Sequence, residues 1–286
     1  MRFSSRSGLF QPFRVMAILA RARVLEASGR DIVHMEIGEP DFPSPPRIIE
    51  AARRSLDSGQ VRYTPAGGLP QLREAIAGHY QTVHGVRVDP SRIFITPGAS
   101  GALALATALL VEPGDEVIME DPGYPCYPNF VQAMGGHPRE VPVDAADAFN
   151  LTRASICTHW NLRTRGIIVA SPANPTGSVM TTEVLQGVAQ EVKSRSGFLI
   201  SDEIYHGLTY GTKAVTALEF DDEAWVINSF SKYFGMTGWR LGWVVVPEAA
   251  IDRAERYAQN FFISAPTPSQ VAALESFSRE NLAELE

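Results

Sequence analysis

An α/β fold with a mainly parallel central sheet is what the sequence predicts, and three observations support it. Short runs rich in isoleucine and valine recur from residue 92 onward. Most of them lack the alternation of apolar and polar residues, which is typical of strands buried on both faces. Helical patterns lie between the runs, and nearly every run ends in a polar or glycine- and proline-rich turn. This order is that of a doubly wound sheet flanked by helices.

The individual elements follow from the same patterns. Strands are predicted at residues 92–96, 116–120, 166–170, 197–201, 225–229 and 242–246. Helices are predicted at residues 102–111, 129–134, 182–195 and 248–259, and a long helix is expected to begin after Gln270. Near the N-terminus a surface helix is predicted, because one apolar face would carry Phe13, Met16, Ile18, Leu19 and Val24.

Composition excludes several classes of protein. The chain has 286 residues, 45% hydrophobic and 20% charged, which argues against a disordered, collagen-like or coiled-coil protein. Its net charge of −7 argues against a nucleic-acid partner. Two cysteines, Cys126 and Cys157, are too few for a disulfide framework or a four-cysteine zinc site. No apolar run approaches the roughly 20 residues of a membrane span, so no membrane partner is expected.

The N-terminal segment allows two interpretations. Before the first acidic residue, Glu26, the chain carries five arginines and several serines, a composition similar to that of a mitochondrial transit peptide. Arginine is common along the whole chain, however, and the apolar pattern also fits a surface helix. We favour the surface helix, and since no secretory signal with a small-residue cleavage site is present, we expect a cytoplasmic protein.

Ligands of open α/β sheets bind at the carboxyl ends of the strands, so the turns there are the place to search for chemistry. The turn Gly98-Ala99-Ser100-Gly101 joins a strand to a helix, and its small residues would expose backbone N–H groups to an anion. A plain helix cap by Ser100 is the alternative. The glycine fingerprints of a dinucleotide site and of a P-loop do not occur at this turn, which disfavours a nicotinamide-dependent oxidoreductase.

Asp202 directly follows the predicted strand 197–201, where a buried carboxylate is costly unless it is paired. It is a candidate to bind a cation, a protonated ring nitrogen or a metal, and a helix cap is the alternative. Tyr205 lies three residues later and could face the same site. Glu203 and His206 raise the option of a metal, but no second cluster with ligand spacing accompanies them, so no metal is expected.

The chain contains three lysines, so lysine chemistry has few candidates. Lys193 lies among polar residues of a predicted helix, and Lys213 follows a predicted surface turn. Lys232 differs because its sequence neighbours are largely aromatic. When an amine is held against aromatic rings, its charged form is disfavoured and its pKa is lowered, and Schiff-base chemistry needs such a neutral amine. The alternative is a lysine whose stem covers an apolar patch. Arg240, eight residues later, could bind a phosphate with its fork of donors.

Each of these candidate residues is weak evidence alone, but together they match the chemical groups of one ligand. A phosphate would be bound by Ser100, Ser229 and Arg240. An aldehyde would react with Lys232, and a ring nitrogen would be paired with Asp202. Pyridoxal phosphate carries all three groups, so the combination points to this cofactor.

With these residues and the motifs around them, the chain resembles the fold-type I, class I and II aminotransferases of the aspartate aminotransferase superfamily. The resemblance covers nearly the whole chain and rests on motifs in family order. They are Ile37-Gly38-Glu39-Pro40-Asp41-Phe42, Tyr63-Thr64-Pro65-Ala66-Gly67, Leu72-Arg73-Glu74-Ala75-Ile76, Asp121-Pro122-Gly123-Tyr124, Ala173-Asn174-Pro175-Thr176-Gly177, Asp202-Glu203-Ile204-Tyr205, Ser229-Phe230-Ser231-Lys232 and Thr237-Gly238-Trp239-Arg240. The resemblance implies fold type I and transfer of an amino group between an amino acid and a 2-oxo acid.

The resemblance also implies a role for each matching residue. Lys232 would bind pyridoxal 5'-phosphate as a Schiff base and then move a proton, while Asp202 would keep the ring nitrogen protonated. Tyr205 and Asn174 would hydrogen-bond the phenolic oxygen of the ring. Tyr124 would stack on the ring face.

Phosphate binding and substrate contact are implied in the same way. The phosphate contacts would come from Ala99, Ser100, Ser229 and Arg240. Tyr63 would reach the phosphate of the neighbouring subunit, so the resemblance implies a homodimer. Gly38 and Asn174 would lie near the substrate.

In length the chain departs from the family, whose members are usually longer. We expect an N-terminal segment, residues 1–42, that belongs with the arm and small domain. Residues 43–286 would form the large cofactor-binding domain and the start of the helix that connects it to the small domain. Most of the small domain, with the arginine that binds the substrate α-carboxylate, would be missing. Its loss would leave apolar side chains of the terminal helix exposed, namely Val271, Leu274, Phe277 and Leu282.

Transamination, impaired by this truncation, is the expected function. Two alternatives use the same residues: a C–S β-lyase or decarboxylase, and a protein that binds the cofactor without catalysis. The motifs do not identify the amino acid or the oxo acid.

Overall fold

A computed structural model describes residues 1–10, 12–59 and 61–285, and this part of the chain is built around a seven-stranded mixed sheet. The strands are β1 (Ile93–Thr96), β2 (Glu116–Asp121), β3 (His137–Pro142), β4 (Thr164–Ala170), β5 (Phe198–Asp202), β6 (Trp225–Ser229) and β7 (Gly242–Val245). Their spatial order is β1-β7-β6-β5-β4-β2-β3. Neighbouring strands are parallel except where β7 pairs with β1 and β6. The predicted mainly parallel α/β fold is confirmed.

Helices pack on both faces of this sheet. They are α1 (Arg14–Ala27), α2 (Pro46–Asp57), α3 (Pro70–His84), α4 (Gly98–Leu110), α5 (Tyr127–Ala133), α6 (Arg153–His159), α7 (Thr182–Ser194), α8 (Ile251–Phe261), α9 (Thr267–Ala273) and α10 (Arg279–Leu285). Strand residues alternate between two apolar cores: Ile167 and Val169 lie in one, and Ile168 and Ala170 lie in the other. Successive side chains of a strand point to opposite faces, so the sheet is buried on both sides.

The six predicted strands lie within two residues of observed ones, but β3 was missed. This strand is at the edge of the sheet and is largely solvent-facing, and its sequence contains Pro138 and Pro142. Proline is tolerated at a sheet edge, where no further strand needs its N–H group. The polar, proline-containing pattern therefore hid a strand that pairs on one side alone.

The predicted N-terminal helix forms as α1, and its apolar face stays largely exposed. Met16, Ile18 and Val24 keep between 52% and 59% of their accessible surface. None of the helices in the described ranges is both long and apolar enough to cross a membrane.

The C-terminal region differs from the expected long helix. α9 ends at Ala273, a 3-10 turn follows over Leu274–Phe277, and Ser278 is extended before α10 begins. The Ser278 hydroxyl accepts a hydrogen bond from the Asn281 N–H at 3.2 Å, which caps the new helix.

This break also changes the expected exposure of the C-terminal apolar side chains. Leu274, Phe277 and Leu282 are partly buried against the main core rather than left in solvent, and Val271 is also partly buried. The predicted exposed apolar stripe is therefore wrong.

Candidate active site

Chemically active residues converge at one edge of the sheet. The parallel strands β1, β2, β4, β5 and β6 all end there, each followed by one of the turns singled out in the sequence. β7 runs the other way and therefore begins at this edge. Its first residue, Gly242, pairs with Ser229 at the end of β6 and with Thr96 at the end of β1. The antiparallel strand thus brings Arg240, two residues before it, to the same edge.

Lys232 follows β6 and lies half-buried at this edge. Its Nζ donates a hydrogen bond to the Gly38 carbonyl and lies 5.6 Å from the centre of the Tyr205 ring. Burial lowers the pKa of Lys232, and the charge of Arg240 acts in the same direction, while Glu39 opposes them. The site therefore makes the neutral, nucleophilic amine easier to form than it is for a lysine in water.

The other two lysines have different environments. Lys193 makes a 2.9 Å ion pair with Asp221, and this hydrogen bond raises the pKa of the lysine. Lys213 donates to the carbonyl of Val83. Lys193 is thus stabilised as a cation, whereas burial lowers the pKa of Lys232.

Asp202 is the last residue of β5, and its side chain is buried with 4% of its surface exposed. Burial raises its pKa to about 6, although hydrogen bonds from Tyr127 and from the Ile204 N–H act in the opposite direction. The Tyr127 hydroxyl donates to Oδ2 at 2.7 Å, and the Ile204 N–H donates to Oδ1 at 3.1 Å. Asp202 caps a turn rather than a helix.

Tyr205 and Asn174 come together from the turns after β5 and β4. The Asn174 amide donates to the Tyr205 hydroxyl at 3.5 Å. Burial raises the pKa of Tyr205, and the charge of Asp202 adds to this effect. The phenol therefore stays protonated and is available as a hydrogen-bond donor.

Tyr124 lies in the turn after β2 and presents a half-buried aromatic ring. Its ring centre is 5.2 Å from that of Tyr127 and 6.4 Å from that of Phe13, in edge-to-face contacts. Burial raises the pKa of Tyr124. A flat apolar face is thus held close to the buried carboxylate of Asp202.

The start of α4 forms a cradle with Arg240. The helix begins at Gly98 and has no side-chain cap, so its first backbone N–H groups lack the partner that a capping side chain would supply. A Cβ on Gly98 would lie 2.7 Å from Nη2 of Arg240, and one on Gly242 would lie 2.7 Å from the Ala99 nitrogen. The backbone contacts require glycine at position 242, and the left-handed φ of +72° favours glycine at position 98.

The remaining candidates are distributed around this cradle. Ser100 is exposed in the first turn of α4 and does not cap it. The Ser229 hydroxyl donates to the Leu241 carbonyl at 3.1 Å and contacts the Ser231 hydroxyl. Tyr63 lies apart on the surface, with 81% of its area exposed. The described residues contain no group of three metal-ligating side chains.

Comparison with known proteins identifies the family. The model of the family described as "Aminotransferase class I and II" matches residues 30–286. The chain is also 40% identical to the valine–pyruvate aminotransferase of Mycobacterium tuberculosis over 285 residues, which are 99% of this chain and 73% of that protein. The chain belongs to the class I and II aminotransferases.

Other relatives of this aminotransferase agree. It is 39% identical to the (5-formylfuran-3-yl)methyl phosphate transaminase of Methanocaldococcus jannaschii, with 96% of this chain and 72% of that protein covered. A crystal structure of an aminotransferase from Mycobacterium tuberculosis superposes with a TM-score of 0.96 at 39% identity, over 100% of this chain and 74% of the other. Aspartate aminotransferase from Thermus thermophilus with maleate gives 0.94 at 34% identity, over 99% and 75%.

These comparisons confirm the fold of type I, the aminotransferase activity and the use of pyridoxal phosphate. The residues present fit this cofactor. The uncapped start of α4 and Arg240 offer donors and positive charge to a phosphate, and the two glycines let Arg240 and the start of α4 approach closely. Asp202 offers a buried carboxylate to the ring nitrogen, and Lys232 offers an amine of lowered pKa to the aldehyde.

The contacts of two buried residues of this aminotransferase were not predicted from the sequence. Tyr127 was not singled out, although its hydroxyl contacts Asp202, because the two residues are 75 positions apart in the chain. Glu203 was considered as a metal ligand. Its Oε1 instead accepts hydrogen bonds from Ser201, Thr216 and the Ala217 N–H, so it anchors the turn that follows β5.

Proposed function

We propose that Lys232 is the residue through which this aminotransferase holds its cofactor and moves the substrate proton. The contrast between two of the lysines carries the proposal: Lys193 is stabilised as a cation by Asp221, whereas burial depresses the pKa of Lys232. When bound, pyridoxal phosphate supplies an electron sink that stabilises negative charge at the α-carbon of the substrate.

The proton transfer is the part of the reaction that Lys232 performs. Its neutral Nζ would accept the proton from the substrate α-carbon and deliver it to the former aldehyde carbon of the cofactor, so that one base would serve both carbons. Gly38 accepts a hydrogen bond from this amine and so orients it. We propose that the Gly38 backbone and the Asn174 side chain also face the substrate.

Asp202 controls the charge on the opposite side of the site. We propose that its carboxylate pairs with the ring nitrogen and keeps that nitrogen protonated. The low exposure of Asp202 supports this role, because a charge interaction is stronger where water is excluded. A cationic partner would in turn offset the burial that raises the pKa of Asp202.

The remaining residues hold the ring and the phosphate. We propose that Tyr205 and Asn174, which are hydrogen-bonded to each other, donate to the phenolic oxygen of the ring. Tyr124 would stack on the ring face. The phosphate would be bound by the backbone at Ala99 and Ser100, the Ser229 hydroxyl and Arg240.

Fewer observations support the proposals on assembly, cellular location and domain division. We infer a homodimer in which Tyr63 reaches the partner's phosphate site, and its 81% exposure supports an intermolecular role. We propose a cytoplasmic location. We also propose that residues 1–42 act with the small domain. Residues 30–45 contain neither helix nor strand, and the contact of Gly38 with Lys232 brings this segment to the site.

Borohydride mapping tests the assignment of Lys232. The protein is loaded with pyridoxal phosphate, reduced with borohydride, digested and analysed by mass spectrometry. We expect the added mass on the peptide that contains Lys232. Label on Lys193 or Lys213 instead, or no label, would refute the assignment. Lys193→Arg provides a matched control, because it preserves the positive charge beside Asp221 and should leave the labelling unchanged.

Product analysis separates transamination from the alternative reactions. Loaded protein mixed with a single amino acid should release the corresponding 2-oxo acid and retain the amino group. Release of a thiol together with pyruvate would indicate a lyase, and release of carbon dioxide a decarboxylase. The Methanocaldococcus jannaschii and Mycobacterium tuberculosis relatives described above are both named as aminotransferases or transaminases. The alternative reactions therefore have no support beyond the shared residues.

A further inference from the structure

The buried hydrogen bond from Tyr127 to Asp202 has a role that its packing alone does not explain. Tyr127 is the first residue of α5, after the β2 turn, whereas Asp202 ends β5. The two side chains keep 5% and 4% of their surface. Their 2.7 Å hydrogen bond joins α5 to β5 inside the protein. It lies at the edge of the sheet where the parallel strands end, which is called the cofactor edge below. Hydrogen bonds to a charged group in such a place are short and strong.

We propose that Tyr127 is a positioning residue that acts through Asp202: its hydroxyl fixes the carboxylate in the orientation and charge state needed to hold the cofactor's ring nitrogen. The inference rests on the proposed function of Asp202. It adds a residue that does not touch the cofactor but sets how strongly Asp202 holds the nitrogen-bound proton.

The geometry around Asp202 supports this role. Tyr127 donates to Oδ2 and the Ile204 N–H donates to Oδ1, so each oxygen is fixed by a donor from a different direction. A carboxylate can accept about four hydrogen bonds, so acceptor capacity is left for a ring nitrogen. Without the hydroxyl, Oδ2 would lose the one side-chain donor found for it among the described residues.

The charge balance points in the same direction. Both hydrogen bonds favour the charged carboxylate and oppose the effect of burial on the pKa of Asp202. Burial and the negative charge of Asp202 raise the pKa of Tyr127, so its hydroxyl keeps its proton and remains a donor. The other titratable groups that face this pair are Tyr124, Tyr205, Glu120 and Glu203.

The test uses Tyr127→Phe, which removes the hydroxyl and keeps the ring. Without this hydrogen bond the Asp202 carboxylate competes more strongly for the proton that it shares with the ring nitrogen. The ring nitrogen is then protonated a smaller fraction of the time. We therefore expect the pH transition of the visible absorption of the lysine-bound cofactor to move upward by about half a unit to one unit. The half-reaction with an amino acid should slow by about tenfold. Borohydride labelling of Lys232 should be unchanged.

Tyr80→Phe is the matched control. Tyr80 is also fully buried, with 1% exposure, but its hydroxyl accepts a hydrogen bond from Trp243 at 3.2 Å instead of donating one to Asp202. Both variants should lower the melting temperature by about 2–4 °C, but the absorption transition should move in Tyr127→Phe alone. A transition and a half-reaction that match those of the unmodified protein in Tyr127→Phe would overturn the proposal.

A second variant covers the case in which Tyr127→Phe does not fold. Replacing Tyr127 by 3-fluorotyrosine keeps the hydroxyl and strengthens it as a donor, so the absorption transition should move downward, opposite to Tyr127→Phe. No shift would overturn the proposal. Absence of label on Lys232 in the unmodified protein would remove the proposed function and this inference together. A labelled Lys232 with a silent Tyr127→Phe would remove this inference alone.

Discussion

Two adjacent carboxylates at the end of β5 serve two different regions of the molecule. Asp202 points to the cofactor edge, where Tyr127 and the Ile204 N–H hold it and acceptor capacity remains. Glu203 points into the protein body, where Ser201, Thr216 and the Ala217 N–H surround one of its oxygens. Successive side chains of an extended chain point in opposite directions, so one position separates the acid at the cofactor edge from the acid that anchors the turn.

Burial does not distinguish the two regions. Glu203 is fully buried and Asp202 nearly so, and burial raises both pKa values, to about 8 and about 6. The groups that surround each of the two carboxylates differ. Behind Glu203 lie the buried rings of His206 and His84, 5.2 Å apart, whose pKa values burial lowers to about 3 and about 4. A raised pKa alone therefore does not identify a functional acid, because burial produces it at both carboxylates.

The largest expected effect separates the two acids by activity. Asp202→Asn keeps the shape of the side chain but removes the negative charge that would hold the ring nitrogen protonated. We expect the half-reaction rate to fall by at least about 10²–10³-fold, with the melting temperature nearly unchanged. In Glu203→Gln the rate should stay within about threefold of that of the unmodified protein. Similar losses in both variants would show that the two regions act as one.

A smaller effect tests the phosphate end of the cofactor edge against ordinary backbone strain. Gly98 and Gly85 have nearly the same left-handed φ, +72° and +73°, and both favour glycine. An added Cβ at Gly85 would have nothing within 4 Å, whereas one at Gly98 would lie 2.7 Å from Arg240. Both alanine variants should lose about 1 kcal/mol of stability.

The cofactor affinity should then differ between these two glycine variants. Gly98→Ala displaces Arg240 from the cradle, so its dissociation constant for pyridoxal phosphate should rise by about tenfold, as measured by fluorescence titration. Gly85→Ala should bind the cofactor as the unmodified protein does. Equal affinities in the two variants would argue that the start of α4 does not bind the phosphate.

The sequence predicted the cofactor edge better than the region behind it. Strands such as β4 and β6 are apolar runs because both faces are buried, and the candidate residues directly follow such runs. Asp202 and Lys232 could be chosen for this reason before the motifs were compared with a family. Tyr127 could not, because nothing local shows that its hydroxyl meets Asp202.

Long-range packing also decided the remaining differences. The partners of Glu203 include Thr216 and Ala217, which reach it through an irregular loop that no periodic pattern describes. At the C-terminus, the apolar spacing predicted one long helix, but Ser278 starts a new one and the apolar side chains pack against the core. Serine is a favoured first residue of helices, so this signal was present but weaker than the periodicity.

The smallest expected effect is a pH dependence that belongs to Glu203. Its pKa rises from 4.5 to about 8 on folding, so between these values the folded state holds a proton that the unfolded state has lost. Stability contributed by this group is therefore full below about pH 4.5 and is lost as the pH rises towards 8. Neutral His206, His84 and His79 act oppositely, because their lowered pKa values make stability rise with pH up to about 6.5.

The clean window for this test is therefore pH 6.5 to 8, above the titration of the unfolded histidines. In this range urea unfolding of the apoprotein should show a fall of about 1–2 kcal/mol, and Glu203→Gln should remove most of it. Glu120 provides the control, because burial raises its pKa to about 7 and its contribution ends lower in the range. Glu120→Gln should change the slope mainly below pH 7. Parallel curves for Glu203→Gln and the unmodified protein would mean that Glu203 is already ionised in its pocket, and the contrast with Asp202 would then rest on access alone.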